Sequence, residues 1–321
     1  MTQMTLDAGS TAPQGTSSVP APRRPPKRRL DLIAYLFLAP ALLTFLVFMI
    51  LPIILTFLLS LVHWSGITFN SIQFAGASNY KTLSHDPLFL RSLKNNAIFV
   101  VLGTALVVGF GLFVALLLEQ GFPGSKFFRG IFFLPTVLST VVVGIVFSFL
   151  LDPTFGILQP LLATIGIHAQ PAPLANPGHA LYTLIILEGW RSFGFAMFLF
   201  VAGLKALDQN LSEASKIDGA NAWQTFWHVT LPQLRPVTLM VSTLVGINML
   251  KLFDIIYVMT FGGPDHATEV LNTYSFAEAF TYSYIGYGSA IAVIMLVVTF
   301  VVTIVRFKVL PDERREVKGN T

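Results

Sequence analysis

Four ionisable side chains stand inside long apolar runs, Glu188 and Arg191 in one and Lys251 and Asp254 in another. A charge in a hydrocarbon core costs at least about 2.5–3.5 kcal/mol on insertion scales, so such residues face a partner or a water-filled cavity. Members of each pair are three residues apart, which on a helix brings them to one face. At about 1.5 Å per residue, Arg191 lies about 16 Å and Lys251 about 12 Å below the same edge of their runs. Two readings stand. The pairs neutralise each other and lock helix packing, or they form a polar wall of a passage, joined by Ser192, Phe195 and Asn248.

Other chemistry is excluded by residue type and spacing. Cysteine is absent, so there is neither a disulfide framework nor a thiolate metal site. His63, His85, His168, His179, His228 and His266 are scattered and make no metal constellation. No Gly-x4-Gly-Lys-Ser/Thr loop is present, so no nucleotide site of that kind and no cofactor is expected on this chain. No loop gathers catalytic His, Asp or Glu, which argues against an enzyme.

The elements that position these residues follow from composition. The chain is 54% hydrophobic and 11% charged, against about a quarter charged in soluble domains. It reads as an all-α membrane protein. A crossing helix needs about 20 apolar residues, and six segments qualify, near 32–62, 95–118, 127–150, 180–203, 237–259 and 287–306. Pro40 and Pro52 are candidate kinks in the first. Residues 1–29, rich in Pro, Ser and Thr and ending in Arg23, Arg24, Lys27, Arg28 and Arg29, read as a disordered tail. A six-helix transmembrane domain then spans 30–310, with a second tail at 311–321. Lys and Arg concentrate in alternate loops. One side holds the basic tail, Lys126, Arg129, Lys205, Lys216, Arg235 and the cluster Arg306 to Lys318, and the other only Lys81, Arg91 and Lys94. By the positive-inside rule, both termini and the loop 204–236 are cytoplasmic.

That loop is too long for a simple connection. Asn210 followed by Glu213 has capping-box spacing, with Gly219 placed to end a helix in the left-handed region. Asn221 with Gln224 repeats the box, and a second helix through Trp223, Phe226, Trp227 and Val229 runs to Leu231-Pro232. Its aromatic face alone is equally consistent with an amphipathic helix in the headgroup layer.

The spacing is more specific. Glu213-Ala214-Ser215, three residues, Gly219, nine residues, Val229, one residue, Leu231-Pro232 resembles the signature of binding-protein-dependent ABC permeases, Glu-Ala-Ala, x3, Gly, x9, Ile, x, Leu-Pro. Ser215 and Val229 are the two departures. Further similarities are Phe37-Leu38-Ala39-Pro40, Phe74-Ala75-Gly76, Asn79-Tyr80, Phe127-Phe128-Arg129, Phe132-Phe133-Leu134-Pro135 and Gly262-Gly263-Pro264. Over roughly 30–308 the chain resembles the carbohydrate-uptake branch, the maltose, glycerol-3-phosphate and multiple-sugar permeases.

The resemblance implies a type I ABC importer architecture in a bacterial or archaeal cell membrane. Its implied partners are a second homologous permease, two ATPase subunits, an extracytoplasmic solute-binding protein and the lipid bilayer, with no nucleic acid. It implies that Glu213, Ala214, Asp218, Gly219, Leu231 and Pro232 couple to an ATPase, and that Ser192, Phe195, Asn248 and Lys251, with Arg191 and Asp254 beside them, line the solute pathway. For Glu213, a capping role and an ATPase contact both stand. Asp218 is either a docking charge or a solvated helix end, and Gly219 is a backbone requirement. A ring face for stacking on a sugar and an amide for its hydroxyls fit that branch. The rival is an ion-coupled secondary transporter, suggested by Asp254 and Glu188, whose folds carry internal repeats and broken midplane helices.

Overall fold

A computed structural model describes residues 32–152, 154–164 and 173–309. The expected tails 1–29 and 311–321 lie outside them. The chain divides into two compact units, 1–51 and 52–321. In the first, α1 (Leu32–Phe45) runs through Pro40 without ending and passes into a π-helical turn, Leu46–Ile50. Its large apolar side chains, among them Phe37, Leu43 and Phe48, are exposed, as on a surface made for lipid or protein rather than water.

The second unit begins at Pro52, one residue into α2 (Leu51–Ser60). A two-residue antiparallel ladder follows, β1 (Val62–His63) with β2 (Gln73–Phe74), Val62 opposite Phe74. After it, α3 (Ser78–Leu83) is tied back to α2 by the Asn79 amide, which donates to the carbonyls of Ser60 (2.8 Å) and Val62 (3.1 Å), while the Tyr80 and Ser60 hydroxyls meet at 2.6 Å. These bonds give the Asn79-Tyr80 dipeptide a structural reason.

The second expected span, 95–118, is the apolar part of a longer helix, α4 (Pro87–Glu119). Its start is set by Asp86, whose carboxylate accepts from the Leu88 N–H at 2.8 Å, and by Pro87 at the first helical position. The third expected span, 127–150, is two helices, α5 (Ser125–Val137) and α6 (Thr140–Leu150), meeting at 91°. Pro135 sits in the last turn of α5, and Leu138 is extended (φ −68°, ψ 143°), so the helical ladder stops there. A short α7 (Leu158–Thr164) follows.

The centre of the unit is α8 (Ala180–Lys205), the most enclosed of the long apolar helices. Helices α4 and α5 pack on it. Phe99, Val107, Val114, Leu184, Phe193, Met197 and Phe200 form the inner core there, joined by Val245, Met249 and Ile255. At Gly194 a Cβ would run into the Phe132 carbonyl and lie 3.0 Å from the Phe133 Cα, so glycine is what lets α5 cross α8 backbone to backbone.

Three short helices make the 204–236 loop: α9 (Gln209–Ile217), α10 (Ala222–Thr225) with a π-helical turn at Phe226–Thr230, and α11 (Leu231–Gln233). The helical run does not close at Pro232, because Pro232 is near the start of α11, where its missing N–H is not needed. The fifth expected span, 237–259, is also broken. Helix α12 (Arg235–Leu250) ends, residues 251–253 are unwound, and α13 (Asp254–Met259) resumes and packs on α6. The chain then forms α14 (Leu271–Phe276), a π-helical turn at Ala277–Thr281 and α15 (Ile285–Val309). Leu83, Phe89, Leu250, Leu271, Tyr274 and Ile291 build a second core between them and α4. Among the described residues, Phe37–Ser60, Pro87–Glu119, Ala180–Lys205 and Ile285–Arg306 are long and apolar enough to cross a bilayer, and the bent α5–α6 pair makes a fifth if its two helices count as one span.

Candidate functional site

Two sites emerge, one in the interior of α8 and α12–α13 and one in the 204–236 loop.

In the interior, the i, i+3 spacing on α8 does what it promised. The Arg191 guanidinium donates through Nε to Glu188 Oε2 (2.9 Å) and through an Nη to Oε1 (2.6 Å), and the Ser192 hydroxyl donates to Oε1 at 2.7 Å. The Glu188 side chain is 3% exposed and that of Arg191 17%, so this bidentate pair is shielded, and its two charges cancel where water cannot screen them. Helix α5 braces it: the Thr136 hydroxyl donates to the Arg191 carbonyl at 3.0 Å, beside the Gly194 crossing.

Lys251 and Asp254 do not make the matching pair. Helix α12 ends at Leu250, so Lys251 occupies its C-cap, Asp254 opens α13, and the face-sharing geometry of a continuous helix does not apply. Both are exposed, and neither joins an ion pair among the described residues. Ser192 is thus drawn into the Glu188–Arg191 network. Asn248 is exposed and Phe195 half-buried, and neither side chain bonds to the network.

The break itself is held by residues that sequence reasoning missed. Buried Asn96 on α4 donates to the Leu250 carbonyl (3.1 Å) and accepts from the Leu271 N–H (2.8 Å). Its neighbour Asn95 donates to the carbonyls of Ala267 (3.1 Å) and Glu269 (2.9 Å), and Asn272 donates to the Leu252 carbonyl at 3.3 Å. The only signal in the sequence is two adjacent amides at the head of an apolar run, which names no partner.

At the start of α4, Tyr274 and Tyr287 both donate to Asp86 Oδ2, at 2.5 and 2.6 Å. Burial pushes the Asp86 carboxyl up. The two phenols and the Leu88 and Phe89 N–H groups outweigh it and hold the group below its ordinary value of 3.8. The Tyr274 phenol is pushed far up by burial and by that bond, and burial raises the nearby Glu278 carboxyl.

In the loop, α9 is capped by Asp208, which accepts from the Asn210 N–H at 3.0 Å. Asn210 is therefore inside the helix, and Glu213 is not the return half of a capping box. At the other end the Gly219 N–H reaches the Lys216 carbonyl (3.1 Å) and the Ala220 N–H the Ser215 carbonyl (3.0 Å), a Schellman closure with Gly219 at φ +85°. The Asn221–Gln224 box is reciprocal, both bonds at 2.9 Å. Ser215, a departure from the signature, meets the Thr225 hydroxyl at 3.0 Å and joins α9 to α10.

Glu213, Ala214, Asp218, Gly219 and Pro232 are exposed and Leu231 is half-buried. Among the described residues neither the Glu213 nor the Asp218 carboxylate has a hydrogen-bond or ion-pair partner. A cleft of about 440 Å³ opens at the corner between Ser215, Asp218, Gly219, Gln224 and His228. Behind it, Trp223 and Phe226 face Leu112, Phe113 and Leu116 of α4 across an apolar groove of about 570 Å³. The loop is thus a compact polar corner against the end of a long helix.

Comparison with known proteins agrees with this construction. A family model described as "Binding-protein-dependent transport system inner membrane component" matches residues 107–314. The chain is 35% identical over 288 residues to the probable ABC transporter permease protein YurN of Bacillus subtilis, covering 89% of this chain and 98% of that one. It is 35% identical over 282 residues to the lactose transport system permease protein LacF of Rhizobium radiobacter, covering 85% and 93%. A chain from the crystal structure of a bacterial alginate ABC transporter, in complex with an alginate pentasaccharide-bound periplasmic protein, shares the fold. Its TM-score is 0.73 at 22% identity, with 86% of this chain and 93% of that one covered.

Proposed function

This chain belongs to the binding-protein-dependent transport system inner membrane components, the ABC transporter permeases, and from that premise we propose that it is a membrane-spanning subunit of an ATP-driven importer for a sugar or sugar-like solute. It works by alternating access, beside a second permease. Two ATPases bind and hydrolyse ATP with Mg, and an extracytoplasmic binding protein delivers the solute. Counting the bent α5–α6 pair and the broken α12–α13 pair as one crossing each, the chain crosses six times with both termini cytoplasmic. The names of relatives support a sugar, lactose among them.

The observation that carries the reading is the loop corner. A helix closed by a Schellman turn, a reciprocal capping box and a cross-helix hydroxyl bond make it stiff, and Glu213, Ala214, Asp218, Gly219, Leu231 and Pro232 are the face it offers to an ATPase. Stiffness matters because coupling must be reciprocal: what nucleotide does to the pathway through this contact, substrate does to the ATPase. Arg191, Ser192, Phe195, Asn248, Lys251 and Asp254 line the pathway, with Glu188 holding Arg191 in place.

The break at 251–253, like the charges of Glu188 and Asp254, is a feature an ion-coupled transporter would share, and family membership sets that reading aside. The test is ATPase activity of the assembled complex. Gly219→Ala places no atom within 4 Å of a neighbour, so its cost is the left-handed backbone alone, about 1–2 kcal/mol. Glu213→Ala removes only an exposed carboxylate. Both are expected to lower ATPase stimulation by loaded binding protein and leave the isolated ATPase unchanged. Full stimulation in both variants would overturn the coupling role.

A further inference from the structure

The unwound segment at 251–253 has no glycine and no proline, so nothing local makes α12 stop at Leu250. The last carbonyls of a helix lack partners within it, and here those near the break are taken by amides from elsewhere. Asn96, 3% exposed, accepts from the first N–H of α14 and donates to the carbonyl of Leu250, the residue before Lys251. Asn272, one residue into α14, donates to the carbonyl of Leu252, the residue after Lys251. Asn95, 6% exposed, holds the backbone of Ala267 and Glu269, which leads into α14. Lys251 is therefore bracketed by two carbonyls, each gripped from α4 or α14, while its own side chain is exposed and makes no ion pair among the described residues.

We infer that Asn96 is a positioning residue for the transport pathway: seconded by Asn272 and Asn95, it keeps the fifth span unwound at 251–253 and so fixes where Lys251 and Asp254 stand. This rests on the proposed pathway role of those two residues. A fully apolar side chain at 96 would leave the Leu250 carbonyl and the Leu271 N–H without their partner, and the carbonyl is repaired most cheaply by continuing α12 through Lys251, so that it accepts from the Asp254 N–H. That rewinding sets Leu252, Phe253 and Asp254 at steps of about 100° around the α12 axis, since 3.6 residues make one turn, and so changes what surrounds the Lys251 side chain, whose own N–H already bonds to the Ile247 carbonyl at 3.2 Å.

The test uses the absence of cysteine in this chain. In the assembled transporter in lipid, the rate at which a small cationic methanethiosulfonate modifies Lys251→Cys is compared with and without Asn96→Leu, with Trp223→Cys in the loop as control. Loss of two buried hydrogen bonds should change the rate at 251 on the order of fivefold or more and leave that at 223 within about twofold. Asn272→Leu, which removes one half-buried bond and spares α4, should shift the rate at 251 in the same direction and serves if Asn96→Leu does not assemble. In uptake, the maximal rate of Asn96→Leu combined with Lys251→Met should be no lower than that of Lys251→Met alone, because with the ammonium gone its placement no longer matters. Unchanged labelling at 251 in Asn96→Leu and Asn272→Leu overturns the positioning role. Changed labelling with normal uptake by Lys251→Met retires the pathway role of Lys251 and leaves the clamp standing.

Discussion

Replacing Arg191 by Met separates a buried ion pair from its parts. In the structure the Glu188 carboxylate, 3% exposed, receives two bonds from Arg191 and one from Ser192. Arg191→Met leaves that carboxylate with the Ser192 hydroxyl alone, and breaking a buried pair by deleting one partner costs about 3–5 kcal/mol. For a chain of this size about 2 °C of Tm accompanies each kcal/mol, so the variant should melt about 6–10 °C lower. Glu188→Leu with Arg191→Met removes both charges together and should return Tm to the wild-type value or above it, because an apolar replacement of a buried pair is neutral or stabilising. Melting of the purified transporter followed by tryptophan fluorescence reads both. If the pair only locks packing, the double variant also recovers uptake; if it lines the pathway, stability returns and uptake does not. A Tm drop under about 2 °C in Arg191→Met would refute the electrostatic reasoning, since less than about 1 kcal/mol would then be at stake.

Two further perturbations read local geometry. Asn221→Ala removes both halves of the capping box at α10 and should cost about 1 kcal/mol, seen as faster proteolysis of the 204–236 loop with little change in global Tm. Asp86→Asn keeps an N-cap acceptor but loses the charge that Tyr274 and Tyr287 serve. Because the folded Asp86 titrates below its ordinary 3.8, its contribution is fully present above that value and is lost as pH falls through the folded one. The stability advantage of the wild type over Asp86→Asn should therefore be constant at neutral and mildly acidic pH and shrink below 3.8.

What the sequence made legible was local. The corner at Gly219 and the box at Asn221 depend on residues within six positions of each other, and both stand where the spacing put them. So does the Glu188–Arg191 pair, one turn apart on an unbroken helix. At the start of α9, Asp208 and Asn210 are both good caps two residues apart. The spacing to Glu213 favoured Asn210, and the structure uses Asp208. The start of α4 was in plain view as Asp86-Pro87, but the polar turns between Pro87 and Asn96 hid it from a hydropathy reading. The break at 251–253 was not legible at all. Its cause is Asn96, over 150 residues away in the chain, and the apolar period runs through it undisturbed. The bend at Leu138 lies between: Pro135 marks it, but a proline near a helix end permits a turn without setting its angle.

The most direct measurement of the central claim is uptake of radiolabelled solute into proteoliposomes holding this chain with its partner permease and ATPases, with ATP sealed inside and the binding protein outside. The account predicts accumulation only when ATP and the loaded binding protein are both present, and its loss when Gly219→Ala and Glu213→Ala are combined. Accumulation driven by a proton or sodium gradient through this chain alone, with neither ATP nor binding protein, would contradict it.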